Sequence, residues 1–230
     1  LIRPEATGYG LIYFAIDMLA VDNDTLKGKK CLVSGSGNVA QFAMEKIIEN
    51  GGIPLTASDS SGYIYDEEGI NTEKLEFIMD LKNKRRGRIH EYAENYPNAT
   101  FVASEKYQDH NPMWDIKSDL AFPCDTQNEV NVKDAKNLAS NGIILLAEGA
   151  NMPTTPEAIE AFQKSKVLFS PGKASNAGGV ATSGLEMSQN SLRLKWTREE
   201  VDAKLNKIMD DIPESCVKYG NDADGYVQCV

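Results

Sequence analysis

The sequence predicts an α/β protein with a Rossmann-like, doubly wound, mostly parallel sheet and flanking and C-terminal helices. Three observations carry this. Short apolar runs alternate with helical patterns from Lys30 to Ser170, the order that covers a parallel sheet on both faces. The first run opens C-L-V-S-G-S-G-N-V-A, so a strand ends in G-x-G-x-x-A and a helix follows at once. After Lys173 the pattern becomes wholly helical.

The elements follow in order. Glu5 to Ala20 places Leu11, Phe14, Ala15, Met18 and Leu19 at helical spacing, and Asp22-Asn23-Asp24 ends that helix. Leu32-Val33 is the first strand. Val39 to Ile48 is a helix stopped by Asn50-Gly51-Gly52, and Ile53 to Ala57 is the second strand. Ser60-Ser61-Gly62 reads as a turn, with Tyr63-Ile64-Tyr65 in a small hairpin. Thr72 to Lys84 is helical with Asn71 or Thr72 as cap, and a short helix spans Ile89 to Tyr96. Phe101-Val102-Ala103 and Leu120-Ala121-Phe122 are short strands, Lys133 to Ser140 is a helix ended by Gly142, and Ile143 to Ala147 is a buried strand. Thr155 and Pro156 open a helix to Ser165 as cap and first residue. Val167-Leu168-Phe169 is the last strand, and helices run from Gly178 to Leu194 and from Thr197 to Tyr219. One dinucleotide-binding domain over residues 1–230 is expected.

Composition narrows the partners. The chain has 230 residues, 41% of them apolar, and a net charge of −10, which disfavours nucleic acid and anionic membranes. No apolar run approaches the length of a membrane-spanning helix. Cys31, Cys124, Cys216 and Cys229 form no C-x-x-C pair, so reduced thiols in a cytoplasmic compartment are expected, with Cys31 and Cys124 in the core. His90 and His110 lie far apart without acidic or cysteine partners at ligand spacing, so no metal site is legible and both are expected at the surface. Leu1-Ile2-Arg3-Pro4 reads as mid-protein sequence, the mark of a fragment.

The glycine turn points to a ligand class. Gly35 permits a tight turn after the strand, Gly37 leaves room for a pyrophosphate, and Ala40 still allows close helix–strand packing. The helix beginning near Val39 presents free N–H groups to phosphates. Asp59 follows Gly35 by 24 residues, where an acid accepts from a ribose 2′-OH and favours NAD. Lys82, Lys84, Arg85, Arg86 and Arg88 place five cations within seven residues, and such a cluster accepts a 2′-phosphate or simply ends a solvated helix. The residues alone leave NAD and NADP even. Glu148 to Pro153 and Pro123 to Asn128 each follow a strand end, where open α/β sheets place ligands. Ala177-Gly178-Gly179-Val180 suggests close backbone approach.

Several long motifs then carry a resemblance: R-P-E-A-T-G-Y-G at Arg3, S-G-S-G-N-V-A, E-G-A-N-M-P-T-T, and N-A-G-G-V-A-T-S-G-L-E-M-S-Q-N. Together they resemble hexameric glutamate dehydrogenase of the small-subunit type over essentially the whole chain. The resemblance implies interconversion of L-glutamate with 2-oxoglutarate and ammonia by a nicotinamide cofactor, in a homo-hexamer. It implies that the catalytic lysine and aspartate lie in a domain preceding Arg3, so this chain resembles the cofactor domain alone, with Cys229-Val230 standing where the family continues to a Gly-Ala-Asn turn. Isolated, such a chain is expected to bind cofactor without turnover.

Residue by residue, the resemblance implies that Thr7 and Asn38 contact the cofactor, and that Gly35, Ser36, Gly37 and Val39 form the pyrophosphate turn. Thr126, Gln127 and Asn151 belong to the cofactor site, with Gln127 and Asn151 on the nicotinamide ribose side, while Val180 and Ser183 reach the substrate. The family has Ala where this chain has Asp125, an added charge. Ser58-Asp59-Ser60-Ser61-Gly62 is similar to the NADP-using members, whose basic positions Lys82, Arg85 and Arg88 match; this tips the cofactor to NADP. A leucine, phenylalanine or valine dehydrogenase, or an NAD-preferring enzyme, is the alternative.

Overall fold

The computed structural model describes residues 2–220. A helix, α1 (Ala6–Val21), leads into β1 (Lys30–Val33), α2 (Asn38–Glu49) and β2 (Ile53–Pro54). An antiparallel set follows: β3 (Thr56–Asp59), β4 (Gly62–Asp66) and, after α3 (Thr72–Met79) and α4 (His90–Asn95), β5 (Ala99–Ala103). The chain then alternates β6 (Leu120–Phe122), α5 (Val132–Ser140), β7 (Leu145–Ala147), α6 (Pro156–Lys164) and β8 (Leu168–Ser170). It closes with α7 (Gly172–Ser175), α8 (Gly178–Leu192) and α9 (Arg198–Gly220).

The main sheet is parallel throughout, in the order β2-β1-β6-β7-β8. β1 has β2 on one side and β6 on the other, so the connections leaving β1 and β6 diverge. The crevice between them is where such sheets take ligands. Apolar residues of α1 and α2 cover one face with Leu11, Ala43, Met44 and Ile47. Trp114, Leu138 and Phe162 cover the other.

The structure departs from the expected single sheet at Leu55. Pro54 has no N–H for a ladder, and the Thr56 hydroxyl takes over the pairing with β1. It accepts from the Val33 N–H (2.9 Å) and donates to the Val33 carbonyl (3.0 Å). The backbone of Thr56–Asp59 is thereby freed to pair with β4, and the second strand divides into β2 and β3. Phe101-Val102-Ala103 joins this smaller antiparallel sheet. Asn71 is the side-chain cap of α3, whereas Thr155 occupies the cap position of α6 without a capping side-chain bond. Beyond Met79 the backbone widens into a π-helical turn over Asp80–Arg85, closed by Arg86 at φ 58°. α8 stops at Leu192, earlier than expected, with Arg193 left-handed at φ 54°.

The C-terminal helices are fastened to α1. Tyr13 donates to Asp202 (2.7 Å), Arg198 pairs with Glu5 (2.6 Å), and Val201, Leu205 and Met209 share an apolar cluster with Tyr9 and Phe14. α8 crosses α1 at Gly178, where a Cβ would lie 2.1 Å from the Ala6 carbonyl oxygen. Gly178→Ala is therefore expected to destabilise the protein by about 1–3 kcal/mol despite alanine's better helix propensity. Thermal melts of the variant should show a lowered midpoint.

Candidate functional site

The glycine turn is built by constraints from two strands. Gly35 has φ +81°, in the left-handed region, and a Cβ there would lie 3.0 Å from the Cys124 carbonyl oxygen and 3.3 Å from Asp125 Cα. Glycine is thus required for both the turn and the approach of the loop after β6. Ser58 locks the turn from the other side: its hydroxyl accepts from the Gly35 N–H (2.7 Å), and its own N–H donates to the Gly35 carbonyl (3.0 Å). Gly37 caps α2 with no side-chain acceptor, and nothing lies within 4 Å of where its Cβ would be. Gly37 and Asn38 are exposed, no side chain caps the first N–H groups of α2, and the helix end carries partial positive charge. Buried Ser36 contributes its carbonyl to Gln41 Nε2 (2.7 Å). This arrangement fits an anionic diphosphate.

Asp59, at the end of β3, is heavily engaged. One carboxylate oxygen accepts from Lys82 Nζ (2.7 Å) and the Ile89 N–H (2.9 Å); the other accepts from the Ser61 N–H (2.8 Å) and hydroxyl (2.5 Å). Burial alone would raise this carboxyl, but the Lys82, Ser61 and Ile89 donors outweigh it and hold it at about 2. The basic cluster divides accordingly. Lys82 is committed to Asp59 and the Gly87 carbonyl, and Arg85 pairs with Asp80 (2.9 Å). Exposed Arg88 donates to the Ser60 hydroxyl (2.7 Å), with no carboxylate in ion-pair range among the described residues.

A cleft of about 580 Å³ opens beside the turn, lined by Thr7, Val39, Asp125, Gln127, Asn151, Asn176 and Val180 among others. Of the expected site residues, Gly35, Ser36, Gly37, Asn38, Thr126, Ser183 and the Asp59–Arg88 cluster do not line it; Val39 is the turn's contribution to its wall. The loop after β7 is anchored by buried Glu148, whose carboxylate accepts from the Gly172 (2.7 Å) and Thr154 (3.2 Å) N–H groups. Asn176 donates to the Asn151 side-chain oxygen (2.8 Å) and the Ala150 carbonyl (3.1 Å). Val180 is 72% exposed. One turn on, Ser183 accepts from Arg3 (2.5 Å).

The glutamate/leucine/phenylalanine/valine dehydrogenase family model matches residues 1–228. The chain belongs to that family. It is 60% identical over 230 residues to an NAD(P)-specific glutamate dehydrogenase of Xylanibacter ruminicola, covering 100% of this chain and 50% of that protein. It is 57% identical over 220 residues to an NADP-specific glutamate dehydrogenase of Haemophilus influenzae, covering 96% and 47% respectively. A solved structure of Plasmodium falciparum glutamate dehydrogenase superposes with a TM-score of 0.89 at 46% identity, covering 94% of this chain and 45% of that one. The chain spans about half the length of the curated relatives it matches.

Within this member of the dehydrogenase family, sequence reasoning missed several residues at the site. Arg3 and Asn176 sat inside the quoted motifs without an assigned role. Glu148 gave no sign of burial. His110 is not a free surface residue: it lies between Asp115 (2.7 Å) and Asp109 (3.1 Å), which raise its pKa. His90 lies 3.7 Å from Glu94. Among the described residues no group of three or more His, Cys, Asp or Glu side chains could hold a metal ion. Cys31 and Cys124 are buried free thiols, Cys216 is a half-buried one, and Cys229 lies outside the described residues, as does Val230.

Glu129 is the least expected of the missed groups. It turns its carboxyl under the Cys124–Asn128 loop, accepts from the Asp125 N–H (3.0 Å), and is joined to Ser34, whose hydroxyl accepts from the Cys124 N–H (2.8 Å). Burial pushes this carboxyl up to about 8 from an ordinary 4.5, against the hydrogen bonds from Ser34, Asp125 and Thr126. The folded protein therefore holds this proton where the unfolded chain has released it. Stability from this group is full below pH 4.5 and declines as pH rises through about 8. Glu129→Gln keeps the acceptor for the Asp125 N–H and should flatten that decline, visible as thermal midpoints that fall less between pH 5 and 9 than in the unmodified chain.

Proposed function

We propose that this chain is the cofactor-holding half of an NADP-dependent glutamate dehydrogenase, which interconverts L-glutamate and water with 2-oxoglutarate and ammonia. The observation that carries the reading is the glycine turn at the divergence of β1 and β6, followed by an α2 N-terminus without a side-chain cap, whose Val39 lines the same cleft as Asn151 and Val180. When bound, the nicotinamide cofactor supplies the hydride acceptor and donor.

The chain's own residues bind and orient. The N–H groups at Asn38 and Val39 take the diphosphate, aided by the Gly37 space. Asp59, Ser60 and Arg88 meet the adenosine ribose, where Arg88 offers a cation to a 2′-phosphate while Lys82 keeps Asp59 fixed. Thr7, Gln127 and Asn151 hold the nicotinamide ribose side, with Asn176 fixing the Asn151 side chain. Val180 and Ser183 face the substrate, Ser183 being steadied by Arg3. Fixed geometry of this kind removes the entropic part of the barrier when the second half of the protein brings substrate to the cleft. On this reading the acid–base residues lie outside this chain, and the full-length protein is a cytoplasmic homo-hexamer.

Calorimetry on the 230-residue chain should show NADPH binding more tightly than NADH, with no glutamate turnover. Arg88→Ala should remove most of that difference, by about ten-fold in the NADPH affinity, as expected for one lost charge-assisted contact to phosphate. Equal affinities in the unmodified chain would contradict the NADP reading.

A further inference from the structure

We propose that Asp125 is a specificity-determining carboxylate of the cofactor site, one that selectively holds back the cofactor carrying a 2′-phosphate. The inference rests on the reading above that the site takes a nicotinamide dinucleotide.

Position is the first argument. Asp125 directly follows Cys124 in the loop after β6, is exposed, and lines the cleft. Its Cα is so close to the glycine turn that a Cβ on Gly35 would lie 3.3 Å away. Its backbone N–H is pinned by Glu129 (3.0 Å), so the residue cannot swing from the turn without breaking that bond.

Charge is the second argument. The groups that face Asp125 are Asp59 at the end of β3, the Ser58 hydroxyl beside it, Lys82 in the π-helical turn, Tyr107 after β5, and Glu129 in its own loop. Lys82 is the cation of this set, and it is already committed to Asp59 (2.7 Å) and the Gly87 carbonyl (3.0 Å). Asp125 thus has no ion-pair partner among the described residues. Desolvation and, next, repulsion from Asp59 raise its carboxyl pKa against a Ser58 hydrogen bond and the attraction of Lys82. Asp59 marks the end of the site where the adenosine ribose is held. A 2′-phosphate there meets the Arg88 guanidinium, but it also adds negative charge to a neighbourhood that already contains two carboxylates and one engaged ammonium. A 2′-hydroxyl adds none. The diphosphate is common to both cofactors, so its repulsion by Asp125 does not discriminate between them.

The test measures NADPH and NADH dissociation constants on the 230-residue chain at pH 8, by quenching of protein fluorescence, for the unmodified protein and for Asp125→Asn. The variant removes the charge and keeps the size. NADPH should tighten about ten-fold and NADH about two-fold, the scale of one like-charge contact near a protein surface. Asp125→Ala should behave the same way, which separates charge from side-chain hydrogen bonding, and thermal melts report whether each variant is folded. Equal tightening of both cofactors would place the charge against the shared diphosphate and overturn the proposal, as would no change in either. If the unmodified chain binds neither cofactor, the underlying dinucleotide reading fails and this inference with it.

Discussion

Gly35 joins two demands that no residue with a side chain can meet together. Its backbone sits in the left-handed region at φ +81°, and the loop after β6 presses against the space a Cβ would fill. The surrounding site follows from that contact. Because the loop approaches so closely, Asp125 stands beside the turn, and Cys124 is within reach of the Ser34 hydroxyl. Because Ser58 grips both polar groups of Gly35, β3 is held alongside and Asp59 is delivered to the same neighbourhood. The turn then starts α2 without a side-chain cap, leaving its first N–H groups free, and puts Val39 in the wall of the cleft.

The electrostatics of the site are balanced locally within an acidic chain. Asp59 and Glu129 show the two opposite outcomes for a partly buried carboxyl. Asp59 gathers an ammonium, a hydroxyl and two N–H donors and stays ionised. Its depressed pKa contributes stability that is present above the ordinary carboxylate range and lost as pH falls through about 2. Glu129 has hydrogen bonds but no cation and keeps its proton near neutrality. Neutrality under the loop matters, since an anionic ligand lies just beyond it on the reading proposed above.

The parts of the fold that depend on local signals were legible in the sequence. The glycine turn, the α3 cap at Asn71 or Thr72, the proline at the first position of α6 and the strand–helix alternation each rest on neighbouring residues. The division of the second strand was not, because it depends on one hydroxyl, Thr56, replacing a backbone ladder with β1. The basic run was visible as a run, but its partition was not. Only the folded chain brings Asp59 to Lys82 and Ser60 to Arg88, residues separated by 23 and 28 positions. Glu129 and Glu148 look like ordinary surface acids in sequence, and only the loops folded over them make them internal acceptors.

The most direct test of the central claim is an amide-resolved NMR titration of the chain with NADPH. If the turn and the α2 N-terminus hold the cofactor's diphosphate, the N–H resonances of Ser36, Gly37, Asn38 and Val39 should shift furthest and saturate with the binding isotherm. Saturable binding that leaves those amides unmoved while shifting others would contradict the account.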